Sequence, residues 1–288
     1  MTRRLLLQAA AATAVRSQPA RLKLGIILSV SADPDAEIKR VQDLGLPTCQ
    51  VMPRDSSAAS AANLRRALDK YTIEATSAVA TGPPPEVYDF YRGPLTIGLV
   101  PREYRQARIA RIHEVSEFAK AARIPAVQTH CGFIPEDPNN PLYAETVEAI
   151  RAVGQYCASN GQDFRCETGQ ETPITLLRAL KDVGLKNVGV NFDFANLILY
   201  GKGDPAEAVD VIGPYVRGVH AKDGLYPTDP RQLGREVPIG EGKVRFATIL
   251  GKLKAFGYRN PITIEREIEG DKQTADILAA KQFLENLL

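Results

Sequence analysis

The sequence predicts a single closed (β/α)8 barrel of the α/β class. Three observations lead there. From Leu22 onward, short apolar runs alternate with stretches whose apolar residues recur at i, i+3 and i+4, the helical period. The runs are rich in Val, Ile and Leu and apolar throughout, as parallel strands covered on both faces read. Eight such units fit the 267 residues from Leu22 to Leu288 at about 33 residues each, close to the roughly 250 residues of a barrel of this kind. An open doubly wound sheet is the second choice. No Gly-x-Gly-x-x-Gly follows the first run, so a dinucleotide cradle is not expected.

The eight predicted strands are Leu22–Leu28, Thr48–Met52, Thr72–Val79, Ala126–His130, Asp163–Glu167, Val188–Asp193, Val216–His220 and Pro261–Glu265. Between them the clearest helical patterns are Tyr104–Ala122, Pro141–Ser159 and Thr172–Val183. Gly45, Gly161, Gly184 and Gly257 fall near predicted helix ends, where a left-handed cap favours glycine. Two connections are long, Thr81–Pro101 and Asp223–Lys243, and loops of that length in a compact domain are usually lids or binding loops. Pro83-Pro84-Pro85 stiffens the first. Gly240-Glu241-Gly242 in the second lacks the strand before it and the Lys-Ser/Thr after it that a phosphate cradle needs, and reads as a lid hinge.

Composition narrows the function. Lys plus Arg is 36 against 34 for Asp plus Glu, a formal net charge of +2. That balance speaks against a nucleic-acid groove or a polybasic membrane patch. No apolar stretch is long enough for a spanning helix. The four cysteines, Cys49, Cys131, Cys157 and Cys166, form no C-x-x-C pair and read as buried small side chains. At the N-terminus, Arg3-Arg4 followed by Leu5-Leu6-Leu7 and an Ala-rich stretch with Ala12-Thr13-Ala14 resembles a twin-arginine export signal. Residues 1–20 are therefore set apart from a catalytic barrel over residues 21–288, exported if the signal acts and cytoplasmic otherwise.

Chemistry in such barrels sits at the C-terminal ends of the strands. Strand four ends in His130, strand five in Glu167, strand six in Asp193, strand seven in His220 and strand eight in Glu265. One carboxylate there would read as a helix cap and one histidine as a core residue. Together they are different: carboxylates converging on one mouth repel one another and drift toward protonation unless a cation compensates them. Three carboxylates with one imidazole form a hard, oxygen-rich set suited to Mn²⁺ or Mg²⁺.

At these residues the chain resembles the xylose-isomerase-like sugar isomerase/epimerase superfamily of TIM barrels. The likeness rests on Arg165-Cys166-Glu167-Thr168-Gly169, Asn191-Phe192-Asp193-Phe194-Ala195-Asn196, Val219-His220-Ala221-Lys222-Asp223-Gly224 and Ile262-Thr263-Ile264-Glu265-Arg266-Glu267. Thr129-His130-Cys131-Gly132-Phe133 and Pro238-Ile239-Gly240-Glu241-Gly242 add to it. The resemblance implies one divalent ion held by Glu167, Asp193, His220 and Glu265, with Mn²⁺ first and Mg²⁺, Co²⁺ or Zn²⁺ as alternatives. It also implies that Glu167 and Glu265 act as an acid/base pair on opposite faces of a sugar. The chain departs from the 3-epimerase pattern at Asn196, where that branch has a histidine, and at Glu171, which lies closer to the strand-five Glu than the branch's second glutamate.

His130, Lys222, Asn196 and Glu171 are the candidate substrate contacts. Lys222 follows His220 by two residues and so points the same way, toward a substrate oxygen or an ion pair. Glu267 shares the face of Glu265 and competes with it as ligand. Asp223 reads as a loop-capping residue and His113 as helix packing. The expected activity is a metal-dependent sugar isomerase or epimerase, removing a proton beside a carbonyl through a metal-stabilised enediolate. The alternatives are a lyase or deglycosidase acting on 3-keto-glycosides and a non-catalytic carbohydrate-binding barrel. The expected partner is a small sugar, with neither nucleic acid nor membrane, in a chain that by analogy associates into homo-oligomers.

Overall fold

The computed structural model describes residues 21–288; the export reading falls on residues 1–20, outside the described residues. Eight parallel strands close a barrel: β1 (Leu24–Val30), β2 (Thr48–Pro53), β3 (Glu74–Val79), β4 (Ala126–His130), β5 (Asp163–Glu167), β6 (Val188–Asp193), β7 (Val216–Ala221) and, after a hairpin of β8 (Asp223–Leu225) and β9 (Arg235–Val237), β10 (Ile262–Ile264). Their order around the barrel is β1-β10-β7-β6-β5-β4-β3-β2. The helices are α1 (Asp35–Asp43), α2 (Ala58–Tyr71), α3 (Gly93–Thr96), α4 (Arg102–Ala121), α5 (Pro141–Ser159), α6 (Pro173–Val183), α7 (Phe194–Leu199), α8 (Pro205–Ile212), α9 (Phe246–Ala255) and α10 (Asp271–Glu285). None of them is long and apolar enough to cross a membrane.

The closed barrel predicted from the alternation is thus the fold, and β4, β5 and β6 begin and end where the sequence places them. The last strand is shorter than expected, so Glu265 sits one residue beyond β10. Local chemistry sets the helix starts. Ser57, Asn140 and Thr172 each cap a helix by accepting a backbone N–H, and Pro141 and Pro173 open the first turns of α5 and α6. Gly45, Gly161, Gly184 and Gly257 all hold positive φ. The four cysteines are buried and unpaired thiols.

Because side chains alternate along a strand, residues two before a strand-end ligand point into the barrel with it. In this chain that layer is polar: Gln50, Gln128, Arg165 and Asn191 are all buried. Register irregularities at Cys49/Gln50 and Val190/Asn191 lie in the same layer. The apolar core lies outside it, where Phe118, Phe164 and Phe192 fill the space between sheet and helices.

Both long loops are pinned. Buried Arg108 on α4 donates to the carbonyls of Gly98, Pro85 and Thr96, so the 81–101 loop is held from beneath by one guanidinium. Asp223 accepts the backbone N–H groups of Gly224, Gly240, Gly242 and Val244. The Gly240-Glu241-Gly242 segment is therefore a carboxylate-anchored turn; the free hinge expected from the sequence is replaced by an Asp223 clasp. Arg266 ties the β8–β9 hairpin to the barrel, pairing with Glu236 at 3.0 Å and with Asp276 at 2.9 Å.

Candidate functional site

Register brings the strand ends together. His130 pairs with Glu167 across β4 and β5, Asp193 with His220 across β6 and β7, and Glu265 donates its N–H to the Ala221 carbonyl. Glu167, Asp193, His220 and Glu265 each offer one ligand atom, all within 4.8 Å of one another. His220 Nδ1 is the hub: it lies 3.0 Å from Glu167 Oε1, 3.1 Å from Glu265 Oε2 and 3.7 Å from Asp193 Oδ2.

Each member is aimed by a neighbour. Asp193 caps α7 with Oδ1, which accepts from Asn196 N at 2.7 Å, and this leaves Oδ2 facing the cluster. The strand-end carboxylate is a helix cap and a candidate ligand at once. Thr168 Oγ1 accepts from Asp193 N and donates to Asp193 O, both at 3.0 Å, clamping the ends of β5 and β6 together. On the far side of the imidazole, Gln50 Oε1 lies 2.7 Å from His220 Nε2. An amide oxygen accepts only, so the shorter contact, to Gln50, favours the proton on Nε2, although Gln128 Nε2 lies 3.1 Å from the same atom. In that tautomer a neutral His220 presents its Nδ1 lone pair to three carboxylates. That arrangement repels unless Nδ1 is protonated or a cation takes the proton's place.

The charges tell the same story. Lys222 is fully buried beside the cluster, with Nζ 3.2 Å from Asp193 Oδ2, 3.0 Å from Glu265 Oε2 and 2.9 Å from Glu267 Oε1. With His220 neutral, as a metal ligand must be, three buried carboxylates against one ammonium leave two negative charges, the charge a divalent ion neutralises. Burial pushes the Asp193 carboxyl up to about 6, against the pull of Lys222 and His220. Burial opposes charge on Glu265 too, but Lys222 and His220 outweigh it and hold that carboxyl well below its usual range. Glu167 is lowered by His220 and His130 against the same burial. His220 itself is raised well above its ordinary value, since Glu167 and Glu265 overcome the cost of burying its charge.

A cavity of about 380 Å³ opens over the cluster, a size that suits a small ligand. Glu167, Glu265, His130 and Asn196 line it, as does Glu267 at the rim. The rest of its wall is largely apolar: Ile27, Met52, Val79, Leu199 and Leu233, with Tyr88 and Tyr200. Tyr88 meets the His130 ring edge-on at 5.8 Å.

Of the residues expected to contact substrate, His130 and Asn196 line the cavity. Lys222 and Glu171 are not among its lining residues. Lys222 is shut behind the carboxylates it pairs with. Glu171 is 1% exposed, with neither carboxyl oxygen hydrogen-bonded, and burial raises its carboxyl to about 8. Glu267 pairs with Lys222 and stays largely exposed, while Glu265 joins the cluster. His113 stacks on Tyr156 at 3.7 Å, as helix packing. Sequence reasoning passed over Gln50, Thr168, Tyr88 and Tyr200. Gln50 carried a usable signal: a lone amide in an otherwise apolar strand, at barrel-facing parity with Thr48 and Met52.

Known proteins share this fold. A solved xylose isomerase domain protein from Planctomyces limnophilus superposes with a TM-score of 0.84 at 37% identity, covering 92% of this chain and 97% of that one. A D-tagatose 3-epimerase-like protein shares the fold at a TM-score of 0.71 and 21% identity, over 92% of this chain and 98% of its own. An uncharacterised protein of Methanocaldococcus jannaschii, MJ1311, is 31% identical over 198 residues, which are 64% of this chain and 63% of that protein's length. Residues 38–287 match the family described as xylose isomerase-like TIM barrel. The chain belongs to that family.

Proposed function

We propose that this protein is a divalent-metal-dependent isomerase or epimerase of a keto-sugar or sugar derivative. The observation that carries the reading is the placement of Glu167 and Glu265. They come from different sides of the barrel mouth, both meet His220 Nδ1, and both line the same cavity. The donor set fits a hard divalent ion: three carboxylates, one imidazole whose bare nitrogen faces them, and two negative charges left uncompensated. Mn²⁺ is the first candidate, with Mg²⁺ next. Bound by Glu167, Asp193, His220 and Glu265, such an ion supplies a Lewis acid that stabilises negative charge developing on a substrate carbonyl oxygen.

The residues of the chain do the rest. One of the two glutamates, ionised, takes the proton beside the carbonyl, and the other returns a proton to the opposite face. Lys222 keeps Glu265 ionised. The aromatic and aliphatic wall excludes water from the reacting carbon. Solvent deuterium incorporation beside the carbonyl tests the assignment: it should vanish in Glu167→Gln and in Glu265→Gln. Undiminished exchange in both variants would remove the acid/base roles.

A second reading has its own support. Ile27, Met52 and Val79, from the adjacent strands β1, β2 and β3, give one flank of the cavity an apolar character that a bare sugar does not need. A 3-keto-glycoside fits there with its aglycone on that flank, and proton removal would then expel the substituent. Product analysis separates the two readings, since one yields an epimerised sugar and the other a released aglycone.

A further inference from the structure

The layer beneath the strand-end cluster holds a second feature, whose guanidinium the proton chemistry at the mouth does not use. Arg165 on β5 points into the barrel one layer below Glu167 and is 6% exposed. Among the described residues it forms no ion pair, and its buried Nε has no hydrogen-bond partner. Two glycines in neighbouring strands clear space there. A Cβ on Gly218 of β7 would stand 2.9 Å from Arg165 Nη1, and a Cβ on Gly189 of β6 would stand 2.5 Å from Arg217 Cδ. Glycine in a strand interior weakens the strand, so its presence beside a bulky side chain marks a close approach.

Arg165 lines a cavity of about 70 Å³ that opens at the N-terminal face, together with Arg217, Gln50, Asn260 and Glu74. The acidic groups near it are already taken. Asp163 pairs with Arg217 at 2.5 Å, and Glu74 with Lys23 at 2.7 Å. A buried guanidinium with no anion is costly, several kcal/mol in ordinary cases, and this cavity exceeds the roughly 30 Å³ that one water occupies.

We propose that the cavity is a binding site for a small inorganic oxyanion of the phosphate or sulfate type, held by the Arg165 guanidinium. Its planar fork matches an oxyanion with two parallel N–H donations. Arg217, itself paired with Asp163, lines the same cavity, and the anion balances the charge of Arg165. The cavity is distinct from the one at the mouth, and Gln50, which lines it, also holds His220.

Isothermal titration of the protein with inorganic phosphate tests this, using the wild type, Arg165→Met and Glu265→Gln. The wild type should bind one phosphate per chain. Arg165→Met should weaken binding by about tenfold or more, and Glu265→Gln should leave it unchanged. Phosphate should raise the wild-type melting temperature and leave that of Arg165→Met where it was. If Arg165→Met does not fold, Arg165→Lys, with its fold checked by circular dichroism, keeps the charge without the fork and should still bind several-fold more weakly. Absence of saturable binding up to about 10 mM would overturn the site and leave water as the occupant. Binding lost in Glu265→Gln, or unaltered when Arg165 is replaced, would place the phosphate elsewhere and overturn it equally.

Discussion

The side-chain amide oxygen of Gln50, Oε1, lies 2.7 Å from Nε2 of His220, on the far side of the imidazole from the three carboxylates. That contact favours the tautomer with the proton on Nε2, in which the Nδ1 lone pair of a neutral His220 faces Glu167, Asp193 and Glu265. Partners of this kind tune a ligating histidine by about 10- to 100-fold in metal affinity. Replacing Gln50 by Leu should therefore weaken Mn²⁺ binding by that order while leaving the helical signal intact. Chelator competition measures it, and an unchanged affinity would show that the tautomer is set otherwise.

Asp193 serves two purposes, and two variants separate them. Asn caps helices as well as Asp does, so Asp193→Asn should keep α7 and lose the metal. Asp193→Ala should lose both, with a further cost of about 1 kcal/mol from the missing cap. Elemental analysis beside thermal melting reads the two effects. Equal stability of the two variants would mean that the Oδ1–Asn196 bond contributes nothing.

Glu171 predicts how stability depends on pH. Burial raises its carboxyl to about 8 in the folded chain, against roughly 4.3 when unfolded. Between those values the unfolded state has released the proton and the folded state retains it, so stability falls as pH rises and levels off above about 8. The Glu171→Gln variant lacks that proton and should not show this slope. Its melting temperature should gain on the wild type by several degrees between pH 4 and pH 8, on the order expected for a few kcal/mol in a domain of this size. Parallel curves for the two proteins would show that Glu171 ionises freely.

Asp223 holds four backbone N–H groups of the segment that runs back to Val244. Asp223→Ala leaves those donors unpaired. Limited proteolysis should then cut between Tyr226 and Lys243 at least about tenfold faster, with the barrel surviving, because local opening costs less than global unfolding. Cleavage at the wild-type rate would mean that the β8–β9 pairing alone suffices.

The barrel was legible because its signal is periodic and repeated. Apolar runs such as Val188–Asp193 and amphipathic stretches such as Pro141–Ser159 each state their own structure, and eight of them in alternation close one way. The strand-end residues were legible for a related reason: a strand has a definite last residue, and in a barrel that residue faces the mouth. Parity along a strand carries less far. It set Lys222 on the face of His220 without revealing that Asp193, Glu265 and Glu267 would enclose it. Gln50 and Arg165 went unread at that parity, and parity alone does not say which groups they meet.

The sequence by itself determined the repeating units, the closed barrel and the five polar strand ends, since local periodicity and chain order decide those. Only the tertiary structure decided the rest. It gave Asp193 both a cap and a free oxygen, turned the bare nitrogen of His220 toward three carboxylates, shut Lys222 and Glu171 away from the cavity, and set Arg165 without an anion at the barrel's foot. Apart from the local Asp193–Asn196 cap, each of these depends on residues brought together from different parts of the chain. Register, bulges and the space left by glycines such as Gly189 and Gly218 fix such relations, and none of them is written in the spacing of a single segment.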